Sequence, residues 1–122
     1  FLRNPHWDND LRPLTGLDEG VSAYVEADSA YSVAMKKIRD LLRYLLPLYD
    51  AQGKAYVNIA FGCTGGRHRS VHVAEQFGRW LREDGFAPAV NHRNLTSRPI
   101  DAIEEPANGA NKNTAPQGND IT

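Results

Sequence analysis

Nine consecutive residues, Gly62-Cys63-Thr64-Gly65-Gly66-Arg67-His68-Arg69-Ser70, concentrate the chemistry of this chain. The glycines let backbone N–H groups converge on one point. Arg67, His68 and Arg69 add side-chain donors suited to phosphate oxygens. An apolar run, Ala55 to Phe61, precedes the segment, and an amphipathic stretch begins near Val71. Strand, glycine-rich turn and helix start in that order make an anion cradle, with the positive end of the helix dipole facing the anion. The segment therefore reads as a phosphate site.

Two uses of such a loop compete. Cys63 to Ser70 fits C-x-x-G-x-x-R-[ST], which resembles the signature of cysteine-dependent phosphatases such as protein tyrosine phosphatases. That resemblance implies Cys63 as thiolate nucleophile, Arg69 as clamp on the phosphoryl oxygens and Ser70 as the hydroxyl assisting thiolate departure. Loop amides, a helix N-terminus and arginines all lower a thiol pKa, so the physics permits it. A general acid is also needed, and Asp8 and Asp10 are the available carboxyls. The chain departs from that signature at Gly62, where phosphatases usually carry His. The other use is binding without turnover, with Cys63 a small buried residue at the strand end. A merely solvated helix start explains Arg67 and Arg69 less well, since cations are unfavourable there unless an anion joins them.

The elements around the loop set its context. A length of 122 residues suits one domain with a real core. The expected division is a folded domain over 1–98 and a flexible tail over 99–122. The first residue is Phe1, so a piece of a longer protein is expected. The formal charge of −1 neither demands nor forbids a polyanion partner. A single cysteine fits a reducing, cytoplasmic setting. With no run of about 18 apolar residues, no membrane partner is expected. Neither a metal nor a cofactor is expected.

Residues 1–20 read as irregular, and a short helix is predicted from Val21 to Glu26. A long helix follows, capped by Asp28 or Ser29. Its apolar stripe is Tyr31, Met35, Ile38, Leu42, Leu45 and Tyr49, widened by Ala34, Leu41 and Leu46. Pro47 should kink or end it. A strand buried on both faces is predicted over 54–61. A second long helix is predicted over 70–84, with Val71, Ala74, Phe77, Gly78 and Leu81 inward and Gly85 as its stop. A further strand is predicted over 87–92. Strand, helix, strand suggests a parallel crossover, with the loop at the carboxyl end of its strand. The fold class is thus α/β, a small, mostly parallel sheet with flanking helices. Trp7 and Leu14 read as core. The tail, rich in Asn, Ala, Pro and Gly, is expected to be mobile.

Four separated motifs carry a broader resemblance. They are Asn4-Pro5-His6-Trp7, Leu11 to Asp18, Gly62 to Ser70, and Asn91-His92-Arg93-Asn94-Leu95. In that order they resemble the C-terminal domain of the RapZ, or YvcJ-type, family over about 1–95. The resemblance implies a fold similar to a phosphofructokinase subdomain. It implies an oligomeric, RNA-binding adaptor that hands a small regulatory RNA to an endoribonuclease and controls glucosamine-6-phosphate synthesis. It also implies a nucleotide-binding P-loop domain elsewhere in full-length members; this chain has no G-x-x-x-x-G-K-[ST]. Carried over residue by residue, the ligand set is Cys63, Thr64, Gly65, Gly66, Arg67, His68, Arg69 and Ser70, with His6 and Arg12 lining the same cavity. Arg12 could instead pair with Asp8 or Asp18 at the surface. His92, Arg93 and Arg98 are the candidate RNA contacts. The family's basic tail is replaced here by Asp101, Glu104 and Glu105, which should weaken RNA binding.

Overall fold

The computed structural model describes residues 1–95 and 120–121. Three α-helices carry the core: α1 (Glu19–Glu26), α2 (Tyr31–Ala51) and α3 (Arg69–Glu83). Three short strands accompany them: β1 (Ile59–Ala60), β2 (Val90–Asn91) and β3 (Asp120–Ile121). A 3-10 turn, Pro5–Trp7, lies in the N-terminal segment.

The helices form where the periodicity places them, and glycines end the two long ones. Gly53 and Gly85 have φ of 75° and 93°. Beyond them, Lys54 N–H reaches back to the Tyr49 carbonyl at 3.1 Å, and Phe86 N–H to that of Leu81 at 2.8 Å. Both are the six-to-one closure that a left-handed residue permits at a helix end. The helix α2 continues through Pro47 to Ala51, with the bond from position 47 to the Arg43 carbonyl necessarily missing. Its N-cap is Ala30 rather than Asp28 or Ser29. Asp28 still serves that end, its carboxylate accepting from Ala30 N–H at 2.9 Å.

The core sits between one face of each helix. Val21 and Val25 come from α1, Tyr31, Met35 and Leu46 from α2, and Val73, Ala74, Phe77 and Leu81 from α3. Phe77 is fully buried, stacked on Phe61 at 5.0 Å and edge-on to Trp80 at 5.1 Å. Burying such a side chain contributes about 1.5–3 kcal/mol. Two members of the expected stripe on α2, Leu41 and Tyr49, are exposed instead. At the far end, Arg43 and Arg39 clamp α2 to Asp84 at 2.8 and 3.1 Å. Those guanidinium hydrogen bonds, Arg43 first, hold the Asp84 carboxyl down at about 2.

The strand segment corrects the sequence-based expectation. Regular strand covers only Ile59–Ala60. Val57, Ile59 and Phe61 lean on the core while Tyr56, Asn58 and Ala60 are exposed. One face is therefore packed and the other open, which is alternation rather than two-sided burial. The expected mostly parallel ladder is also absent among the described residues. The strand β3 lies between β1 and β2 and is antiparallel to both, with Ile121 opposite Ile59 and Val90. The strands β1 and β2 thus share a direction without pairing. Most of the expected tail, together with Arg98, lies outside the described residues; Asp120 and Ile121 form β3.

Candidate functional site

The loop between β1 and α3 is held from three sides. Gly66 sits at φ 66°, where any side chain is strained. Asn94 packs over it, its amide donating to the Gly65 carbonyl at 3.4 Å. A Cβ on Gly66 would lie 2.3 Å from that amide nitrogen. Arg67 reaches the carbonyls of Leu95 at 3.2 Å and Asn94 at 3.4 Å. From the other side Gly16 N–H donates to the Arg67 carbonyl at 2.8 Å. A Cβ on Gly16 would meet the His68 carbonyl at 2.3 Å and the His72 nitrogen at 2.4 Å. Only glycine allows the two segments to approach so closely.

Gly16 is in turn fixed by its own turn. Asp18 accepts from Thr15 N–H at 2.8 Å, and the Thr15 hydroxyl accepts from Leu17 N–H at 3.2 Å. Arg12 donates through Nε to the His6 carbonyl at 2.7 Å, in place of the surface pairing with Asp8 or Asp18 that the sequence suggested. Asp8 accepts from the N–H groups of Asp10 at 2.9 Å and Leu11 at 3.2 Å, a turn-capping role.

These contacts bring the N-terminal segment and the loop around one cavity of about 230 Å³. Its basic lining is His6, Arg12, Arg67, His68 and Arg69, with Cys63, Thr64 and Gly65 beside them. Among the described residues no carboxylate lines it. Asn4 and Trp7 complete the wall. A second cavity of about 290 Å³ shares Cys63, Thr64 and Arg69 and is otherwise mostly apolar, with Leu2, Met35, Ile38, Phe61 and Val73. Ser70 lines this second cavity rather than the first. Gly66 is buried beneath the loop.

Arg69 stands where the two cavities meet. It donates to the Leu2 carbonyl at 3.2 Å and to the Thr64 hydroxyl at 3.5 Å. Its Nε is buried with no hydrogen-bond partner among the described residues. The first turn of α3 contains no acidic residue to balance it. A cation there, beside the positive end of a helix, favours an anion in the cavity.

The thiol and imidazoles are tuned by the same surroundings. Cys63 Sγ lies 3.2 Å from Ser70 Oγ. Burial pushes this thiol up. The Ser70 hydroxyl, the N–H groups of Ser70 and Gly66, and the Arg69 charge outweigh it, and the pKa falls below the ordinary value. His68, 8% exposed, pairs through Nε2 with the Arg12 carbonyl at 3.1 Å. Burial lowers its pKa, with Arg67 and His6 adding to the effect against the carbonyls of Arg12 and Leu14.

Other expected residues lie elsewhere. His92 pairs with Glu75 at 2.6 Å, and Arg93 is exposed; neither lines either cavity at the loop. Trp7 is not core but 77% exposed, because the buried member of its turn is Pro5. Asn94, Gly16 and Trp7 are the site-shaping residues that residue types alone did not single out. The signal for Gly16 was its place between Thr15 and Asp18, a side-chain-closed turn.

Fold and cavity together define a small α/β domain built around a cation-lined strand-to-helix loop. The model of the RapZ C-terminal domain matches residues 1–96, and the chain belongs to that family. It is 61% identical to a nucleotide-binding protein of Novosphingobium aromaticivorans over 85% of this chain and 34% of the relative. A nucleotide-binding protein of Sphingopyxis alaskensis is 58% identical over 85% and 33% of the two chains. For one from Erythrobacter litoralis the figures are 56%, 87% and 35%. The chain spans about a third of the length of these curated relatives.

Proposed function

We propose that this domain is a regulatory binding module whose loop holds the phosphate of a hexosamine phosphate, glucosamine-6-phosphate or a close analogue, in the control of amino-sugar precursors. The observation that carries this reading is the convergence of Arg12, Arg67, Arg69, His6 and His68 on one cavity beside the glycine-rich turn. Guanidinium groups suit phosphate because their fork geometry matches its oxygens. Occupancy then alters what the protein does to an RNA and to a protein partner such as an endoribonuclease. That coupling requires the ligand to favour one of two states. RNA contact would fall to His92, Arg93 and Arg98, and self-association would present several copies to one RNA. The nucleotide-binding property in the relatives' names is assigned to the part of those proteins that this chain does not span.

Calorimetry with glucosamine-6-phosphate and with glucosamine tests the reading. Binding of the phosphorylated sugar alone supports it. Equal binding of both, or of neither, rejects a phosphate-directed sensor.

One observation favours a second reading, a cysteine-dependent phosphatase. Cys63 Sγ faces Ser70 Oγ at 3.2 Å, two loop amides and Arg69, which stabilise a thiolate. Against it, no carboxylate among the described residues lines either cavity, so a general acid is wanting. Turnover of an aryl phosphate that vanishes in Cys63→Ser would establish this reading over the first.

A further inference from the structure

We propose that Trp7 reads the ring of the ligand, its indole taking the apolar face of a cyclic sugar whose phosphate rests on the loop. The inference rests on the phosphate-binding reading of the cavity and adds to it the group that selects the ligand. Trp7 is 77% exposed and lines the same cavity as Arg12, Arg67 and Arg69. A large aromatic surface left in water is unfavourable, and here it borders a charged recess instead of completing the core.

Its backbone is set in advance. Pro5 is buried, and the Asn4 side chain accepts from His6 N–H at 3.2 Å. Trp7 N–H donates to the Asn4 carbonyl at 3.3 Å, and the Asp8 N–H closes the turn on the Pro5 carbonyl at 3.0 Å. The His6 ring meets the indole edge-on, with centroids 5.2 Å apart. Arg12, which binds the His6 carbonyl at 2.7 Å, links the turn to the phosphate donors. A ring platform and an anion clamp are thereby fixed relative to each other, which lowers the ordering cost of binding.

The dimensions admit the class. Drug-sized ligands occupy pockets of about 300–1,000 Å³. A recess of about 230 Å³ is smaller than that range and accommodates a monosaccharide phosphate. The indole also suits an amino sugar, because tryptophan is the best aromatic partner for an ammonium group.

The test compares inorganic phosphate, glucosamine-6-phosphate and AMP on the full chain and on Trp7→Ala and Trp7→Phe. Trp7 is exposed, so both variants should fold, and a thermal melt checks that. The expected result is an about tenfold loss of glucosamine-6-phosphate affinity in Trp7→Ala, with phosphate affinity unchanged and partial recovery in Trp7→Phe. The sugar phosphate should also change tryptophan fluorescence in the natural chain and not in Trp7→Phe, where Trp80 remains. Equal losses for phosphate and sugar phosphate, or no loss for either, would overturn the inference while leaving the phosphate site standing. A loss confined to AMP would overturn it as well, since the indole would then read a base. Absence of binding by both phosphate and the sugar phosphate to the natural chain would sink the underlying site, a distinct outcome.

Discussion

Gly16 and Arg67 are joined by a backbone hydrogen bond of 2.8 Å, from the Gly16 amide to the Arg67 carbonyl. Through it the N-terminal segment, which carries His6 and Arg12, is registered against the loop. The first prediction follows directly. Gly16→Ala forces a methyl to 2.3–2.4 Å from two backbone atoms of α3 and its cap. Overpacking of this kind costs about 1–3 kcal/mol. A lower urea midpoint and weaker phosphate binding should appear together. An unchanged midpoint would show that the two segments can separate freely.

The layout of the candidate loop is legible in the sequence. The strand-to-helix order placed the loop, and glycines at 53 and 85 marked both helix ends. The shared cavity of His6, Arg12 and the loop was expected only through the family resemblance, because no local rule brings residues so far apart together. Composition assigns tryptophan to the core, but the turn buries Pro5 in place of Trp7. The run from Ala55 to Phe61 lacks charge, which is why the sequence alone points to burial on both faces. A two-sided burial and a one-sided lean on the core look alike when the exposed face carries Tyr56, Asn58 and Ala60. Pairing partners were also not local: β3 comes from the far end of the chain, where composition predicted no structure.

Gly66→Val should abolish anion binding and cost stability. The residue has φ 66°, and a Cβ would meet the Asn94 side chain. A β-branched residue in that region costs at least about 1 kcal/mol. Phosphate should no longer raise the melting temperature of this variant. A normal ligand-induced rise would place the anion elsewhere.

Arg69→Ala should lose phosphate affinity while the helix survives. Its guanidinium holds the Leu2 carbonyl of the N-terminal segment and the Thr64 hydroxyl of the loop, and neither bond lies within the helix ladder. Removal of a charge-assisted contact costs about 1.5–3 kcal/mol, or about 10- to 140-fold in Kd. Calorimetry reads the loss and circular dichroism checks the fold. Wild-type affinity in a folded variant would remove Arg69 from the site.

Cys63 should alkylate at a lower pH than an ordinary thiol does. Burial opposes ionisation, but Ser70, the loop amides and Arg69 bring the thiol below the ordinary cysteine value. The rate of iodoacetamide labelling should therefore rise with pH at a midpoint below that of the same thiol in the unfolded chain. Ser70→Ala should move that midpoint upward, and bound phosphate should slow the reaction. A midpoint at or above the unfolded-chain value would mean that burial wins.

Stability should fall as the solution turns mildly acidic. Burial lowers the pKa of both His68 and His72. His72 Nε2 is shared by the Tyr31 hydroxyl at 2.9 Å and Glu26 Oε1 at 3.1 Å, with Arg79 opposing its charge from α3. Tyr31, pushed up to about 12 by burial and then by Glu26, stays protonated throughout this range. In the unfolded chain each histidine takes a proton at about pH 6.5. Below that pH the unfolded state binds more protons than the folded one, so acid favours unfolding. The loss begins near pH 6.5 and continues until the folded imidazoles protonate at their lower values. Thermal melts in phosphate-free buffer from pH 7.5 down to 5 should show a falling midpoint. His72→Gln should flatten part of that fall, because glutamine keeps a polar group between Tyr31 and Glu26 without titrating. A fall of equal size in His72→Gln and in the natural chain would assign the acid sensitivity to other groups.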